Sequence, residues 1–189
     1  MSIREYSMTR DSTRQLSPSF RVREFACKGS DVVLIDDELV VLLQCIREHF
    51  GKPVHITSGY RTYEKQEYLY NLYTEREMKA GISREEAQKI VDTYSAKPGT
   101  SEHQTGLCCD MHNLPSADQR FAKQDAYKWL VENCYKFGFI LRFPEDKEDI
   151  TGYSFEPWHY RFVGRYHASE MHRLGMCLEE YVAYLETAE

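Results

Sequence analysis

The sequence has no run of about 18 apolar residues, so no membrane-spanning helix is expected. Its first residues, Met1-Ser2-Ile3-Arg4-Glu5-Tyr6, lack the apolar core of a signal peptide, and the expectation is a cytoplasmic chain whose release would need another route. There is no basic stripe. Asp and Glu outnumber Lys and Arg by 30 to 24, and a net charge of −6 argues against a dedicated nucleic-acid binder, which needs clustered cations for phosphate. No Pro/Ser/Gly-rich linker and no internal repeat divides the 189 residues, so residues 1–189 read as one domain with 42% hydrophobic content to fill its core. The six cysteines, Cys27, Cys45, Cys108, Cys109, Cys134 and Cys177, show no short paired spacing. Reduced thiols are therefore expected, and a structural zinc held by cysteines alone is disfavoured for want of a CxxC pair.

What is present begins with local signals. Leu39, Leu42, Leu43 and Ile46 recur at helical spacing between a capping Asp36 and a terminating Gly51, within an N-terminal helical segment 1–52. A strand over 53–57 delivers Ser58-Gly59-Tyr60-Arg61 at its end. Helices are predicted over 62–80 and 84–95, the second opened by a Ser83/Glu86 capping box, and over 121–137 with Ala126, Trp129, Leu130 and Cys134 inward and Gly138 as the stop. Tyr63, Tyr68, Tyr70 and Tyr73 read as packing and surface rather than a carbohydrate platform. Residues 139–142 read as a short strand and 145–149 as a solvated acidic loop. Two short helices follow Gly164, with His167 and His172 expected at the surface. The fold class is α+β, a small, largely antiparallel sheet with helices packed outside it.

The chemistry concentrates in two segments. Ser101-Glu102-His103 runs to Asp110, and Glu156-Pro157-Trp158-His159 follows about fifty residues later. Two imidazoles and two carboxylates match a catalytic zinc site, with three protein ligands, one open position and a general base. His103, Asp110 and His159 are the candidate metal ligands. Gly106 permits the bend that would let His103 and Asp110 converge. Pro157 argues against a helix, so Glu156 is placed at the entrance to an extended aromatic segment over 158–163 that carries His159, as the base beside the ion. Cys109 and His112 are competing donors. Asp110 is preferred, because strand alternation sends Cys109 and Met111 to the opposite face and places His112 farther along.

With their neighbours included, these residues carry a resemblance. Ser58-Gly59-Tyr60-Arg61, Ser101-Glu102-His103-Gln104-Thr105-Gly106-Leu107 with Asp110, and Glu156-Pro157-Trp158-His159-Tyr160-Arg161-Phe162-Val163-Gly164 resemble three signature blocks of the zinc D-alanyl-D-alanine carboxypeptidases and dipeptidases of the VanY and VanXY type. The run Gly138-Phe139-Ile140-Leu141-Arg142-Phe143-Pro144 is similar too, and the resemblance spans about 53–185. It implies a Hedgehog/DD-peptidase-like fold and zinc on His103, Asp110 and His159. It also implies Glu156 as catalytic base, Arg61 facing the scissile carbonyl, Ser101 holding the substrate's terminal groups and Gln66 as a polar residue lining the pocket. The implied partner is a peptidoglycan precursor peptide or the free D-Ala-D-Ala dipeptide, in a cell-wall or antibiotic-resistance setting. Residues 16–39 look more like a neighbouring branch of the superfamily. The alternatives are an L,D-carboxypeptidase or endolysin-type endopeptidase on the same metal site, and a non-catalytic zinc-stabilised binding domain. Glu156 weighs against the last, since a site without turnover needs no base.

Overall fold

Four short strands build the sheet that carries the functional residues. They are β3 (His55–Ser58), β4 (Cys108–His112), β5 (Phe139–Leu141) and β6 (His159–Phe162), ordered β3-β4-β6-β5 and antiparallel throughout. The computed structural model describes residues 23–26, 32–35, 37–51 and 54–187. Within these, β1 (Arg23–Ala26) and β2 (Val32–Ile35) form a separate antiparallel pair. The expected Asp36 cap, the start of the first strand at Pro53, and most of the 16–39 segment lie outside the described residues.

Strand alternation divides the sheet into two faces. Ile56, Cys109, Met111 and Tyr160 point to one of them and join Leu42 and Ile46 of helix α1 (Asp37–Phe50), Phe121, and Ala126 and Leu130 of a helix in the 121–137 region. All of these side chains are buried. Each large apolar group so buried contributes roughly 1.5–3 kcal/mol relative to exposure, which makes this the face that holds the sheet in place. The opposite face carries Cys108, Asp110, His159 and Arg161.

Helices α2 (Tyr63–Met78) and α3 (Arg84–Val91) form a hairpin beside the open face. Thr62 caps the first, and the Ser83/Glu86 box caps the second as the sequence predicts. Tyr70 is buried and donates to Asp92, whereas Tyr63 and Tyr68 are exposed.

The segment 1–52 is not helical throughout as expected, since β1 and β2 pair within it through backbone hydrogen bonds, and three further elements differ from expectation. The helix predicted over 84–95 stops at Val91, because the Thr93 hydroxyl takes the Ile90 carbonyl and the backbone tightens into i→i+3 bonds at Thr93 and Tyr94. The segment 121–137 is not one helix. A 3-10 turn, Gln119–Lys123, is capped by Asp118, Gln124 is extended, and helix α4 (Asp125–Asn133) passes into a second turn, Cys134–Phe137. The acidic stretch is a 3-10 turn, Glu145–Lys147, followed by the single-turn helix α5 (Glu148–Thr151) rather than a loop. The Glu148 carboxylate accepts from the Phe155 backbone N–H and Lys147 pairs with Glu180, and these contacts hold the charges in order.

Helices α6 (Arg165–Leu174) and α7 (Leu178–Thr187) close the chain over a second cluster with Ile140, Val163 and Tyr181. His172 is exposed, but His167 is half-buried with Nδ1 3.2 Å from the Tyr181 hydroxyl, because α6 turns that face onto α7. Among the described residues no helix is long and apolar enough to cross a membrane.

Gly138 joins these layers. Its φ is +86°, and a Cβ there would stand 2.6 Å from Phe162 Cε2 and 3.1 Å from the Arg165 backbone nitrogen. Gly138→Ala thus combines a left-handed backbone with a clash, at a cost of about 2–3 kcal/mol. Its thermal midpoint is expected to fall by roughly 5 °C or more. Gly175→Ala, with φ +66° and nothing within 4 Å, should fall by less. Equal shifts in the two variants would show that the Phe162 contact carries no weight.

Candidate metal centre and cleft

The register between β4 and β6 pairs Asp110 with His159 and Cys108 with Arg161. Directly opposed residues on one face stand about 5 Å apart at Cβ, so pairing alone brings the Asp110 carboxylate to the His159 ring. His103 arrives differently. The turn Glu102–Thr105 ends at Gly106 with φ +70°, and this bend folds His103 back over the strand that Gly106 leads into. Arg61 donates its backbone N–H to the His103 carbonyl, which fastens the end of β3 to the same turn.

His103 is fixed from behind by a hydrogen bond, and His159 stands between two carboxylates. His103 Nδ1 stands 2.7 Å from the Gly59 carbonyl, which can only accept, so Nδ1 carries the proton and Nε2 faces Asp110 Oδ2 at 3.5 Å. His159 places Nε2 3.4 Å from Glu102 Oε2 and Nδ1 3.2 Å from Asp110 Oδ1. Asp110 Oδ1 is buried and has no hydrogen-bond partner among the described residues despite that nearby ring nitrogen. Near contact without hydrogen-bond geometry is what donors aimed at a common cation show, so His103, Asp110 and His159 fit a metal ion.

A further donor was missed by the sequence reading. Ligand atoms of His103, Cys108 and His159 all lie within 4.8 Å of one another. Cys108 shares the parity of Asp110, so alternation could have pointed to it in place of Cys109, which packs in the core on the opposite face. His112 is not in the cluster: its Nδ1 accepts from the Leu114 N–H and its ring packs near Phe121. Asp110 fits the third position better, since its carboxylate stands between both imidazoles, Oδ1 toward His159 and Oδ2 toward His103.

Glu156 reaches the site through a turn. The His159 N–H donates to the Glu156 carbonyl at 3.1 Å across Pro157-Trp158, so the extended segment begins at His159 and not at Trp158. Pro157 presets the backbone for this turn and brings Glu156 Oε2 to 3.6 Å from His159 Nδ1. Burial, reinforced by the Asp110 charge, pushes the Glu156 carboxyl up to about 7 against the pull of the imidazoles and Arg61. Glu102 behaves oppositely. Burial would raise it too, but Arg142 Nε at 2.8 Å and Arg161 Nη1 at 3.2 Å hold it well below the usual range. Arg142 also grips Glu179 of α7 through both terminal nitrogens, at 3.0 and 2.6 Å.

Arg61 lies across the cluster, with Nη2 3.8 Å from Asp110 Oδ2. It donates to Ser58 Oγ and to Gln66 Oε1, each at 2.8 Å. Gln66 itself is fully buried and anchored to the Ala96 carbonyl, so it does not line the pocket as expected and reaches the site only by holding Arg61. Ser101 does line it. The cleft, about 550 Å³, has Arg61, Ser101, Asp110, Glu156 and His159 on its floor and Phe143, Tyr153 and Trp158 among its walls. A second cavity of about 650 Å³, with Tyr60 and Lys65, adjoins it and shares Arg61 and Asp110.

A His–Asp–His donor set, a neighbouring carboxyl with a raised pKa and an open cleft, gathered beside an antiparallel sheet, match a site of the metallopeptidase class. The model of the D-alanyl-D-alanine carboxypeptidase family VanY matches residues 36–165, and the chain belongs to that family. It is 44% identical over 128 residues to a D-alanyl-D-alanine carboxypeptidase of Enterococcus faecalis, covering 67% of this chain and 46% of that protein. The chain thus spans about half the length of that curated relative. Two solved structures superpose on it. One is a mutant of the vancomycin-resistance D,D-pentapeptidase VanY with Zn(II), at 36% identity and TM-score 0.74, over 94% of this chain and 99% of that one. The other is VanYB with D-alanine-D-alanine, at 35% identity and TM-score 0.76, over 94% and 97%.

The Glu102 contacts generate a prediction. Glu102→Gln keeps an acceptor behind His159 but removes the charge that orients the ring, so zinc retention against a chelator should weaken by roughly 10- to 100-fold. Retention equal to wild type would show that the ring is held without Glu102.

Proposed function

We propose that the chain is a zinc-dependent D,D-carboxypeptidase that removes the terminal D-alanine from peptidoglycan precursor peptides ending in D-Ala-D-Ala. The observation that carries this reading is Glu156, a largely buried carboxyl 3.6 Å from His159 Nδ1 and facing the three-donor cluster, which burial pushes above its ordinary range. The names of the related proteins supply the substrate class. Zinc bound by His103, Asp110 and His159 would polarise the scissile carbonyl and lower the pKa of water.

Glu156 accepts a proton from the attacking water as its oxygen bonds to the carbonyl carbon. It then delivers that proton to the departing D-alanine nitrogen as the C–N bond breaks. A carboxyl that can take up a proton and give it back suits both transfers. The Arg61 guanidinium, held by Ser58 and Gln66, meets the negative charge that develops on the carbonyl oxygen, a contact preorganised before reaction. Ser101 holds the substrate's terminal groups. The adjoining cavity past Arg61 and Asp110 gives the acyl side of a peptide room to extend, which supports a peptide substrate over the free dipeptide alone.

Zinc-loaded protein incubated with a pentapeptide ending in D-Ala-D-Ala should release one alanine, detected by mass. Cleavage confined to an L,D-linked tetrapeptide would overturn the assignment in favour of an L,D-carboxypeptidase. Glu156→Gln should keep its zinc yet lose turnover by on the order of 100-fold or more. Loss of zinc in that variant would make Glu156 a ligand. Arg61→Lys keeps the charge but not the planar fork, and should lower kcat and kcat/KM by similar factors. A rise in KM with kcat intact would instead assign Arg61 to gripping the substrate's terminal carboxylate.

A further inference from the structure

The Cys108 thiol has no part in the reaction just described, yet it is buried against the two imidazoles that would hold the metal. Its Sγ and one ring nitrogen from each of His103 and His159 lie within 4.8 Å of one another, and the residue is 3% exposed. Donor atoms around a tetrahedral zinc with ordinary Zn–N and Zn–S lengths stand roughly 3.3–3.6 Å apart. Asp110 stands outside that 4.8 Å group, so closing all four donors on one ion requires the Cys108 thiol and the Asp110 carboxylate to draw together. Its placement follows from the fold: Cys108 and Asp110 are two apart on β4, point to the same face, and sit opposite Arg161 and His159. Cys109, its neighbour in sequence, is sealed in the core beneath the sheet and cannot compete.

We propose that Cys108 is a fourth protein donor to the metal, closing the coordination through Sγ while the cleft is empty. This rests on the reading of His103, Asp110 and His159 as metal ligands. Binding replaces the thiol S–H bond by an S–metal bond, and the proton leaves to solvent. Zinc sites expand from four to five ligands when a further ligand enters, so a closed resting site remains open to substrate. A thiolate donor also strengthens the hold on soft cations and slows loss of zinc.

Cobalt(II) in place of zinc in the full chain tests this by absorption, without reference to turnover. A cobalt–thiolate bond produces a charge-transfer band in the near ultraviolet, whereas imidazole and carboxylate ligands give only visible bands. Wild-type protein should show the near-ultraviolet band. Cys108→Ser should lose it while keeping the visible bands, and Cys109→Ser should keep both. Zinc should leave Cys108→Ala at least about 10-fold faster than wild type in the presence of a chelator. Bound cobalt without the near-ultraviolet band in wild type, or a band surviving in Cys108→Ser, would overturn the proposal while leaving the three-ligand reading intact. Failure of wild type to bind cobalt or zinc would overturn both.

Discussion

The pairing of β4 with β6 is the constraint on which the site depends. One register sets Asp110 opposite His159 and, on the other face, Cys109 opposite Tyr160 in the core. A slip of one residue would send Asp110 inward and Met111 to the metal face, exchanging every side chain between the two environments. The apolar face therefore specifies the polar one. Leu42, Ile46, Phe121 and Leu130 admit only the register that buries Cys109, Met111 and Tyr160, and the donors converge as a result.

Behind the donors, charge does what apolar packing cannot. Glu102 stands between His159 and two guanidinium groups, and Arg142 continues the chain of contacts to Glu179 on α7. Buried ions offset their desolvation only when geometry and partners are complete. The arrangement thus adds orientation more than stability: a ring that accepts a metal on one nitrogen is aimed by what the other nitrogen touches. The C-terminal helix, remote from the cleft in sequence, is in this way part of the shell that aims His159.

Much of this was legible in the sequence, where short-range signals carry it. The Ser83/Glu86 box, Gly106 before β4 and the stop at Gly138 act through their immediate neighbours, and each stands where the pattern puts it. His103, Asp110, Glu156 and His159 were nameable from spacing and resemblance, and the fold brings them to one cleft. What was hidden depends on tertiary partners. The break at Gln124 interrupts a continuous helical pattern, and Gln66 was assigned to the pocket although its partners, Arg61 and Ala96, come from other segments. Glu102 and Cys108 adjoin residues that were singled out. Nothing local distinguishes a buried acid with two arginines from a solvated one, and for Cys108 only the parity with Asp110 was available.

Two glutamates shielded from solvent, Glu102 buried and Glu156 largely so, illustrate how the environment divides labour between identical groups. Both are desolvated, which by itself raises each carboxyl. Glu102 has two guanidinium groups in contact and stays ionised, fit to hold an imidazole and unfit to exchange a proton near neutrality. Glu156 has only the more distant attraction of the imidazoles and Arg61, opposed by Asp110, and is left at about 7. Pairs of titratable groups driven apart in this way mark the acid–base assignment of a site. The distinction rests on where Arg142 and Arg161 point. Turned toward Glu156, they would hold that carboxyl ionised and work against the proton-carrying role proposed for it.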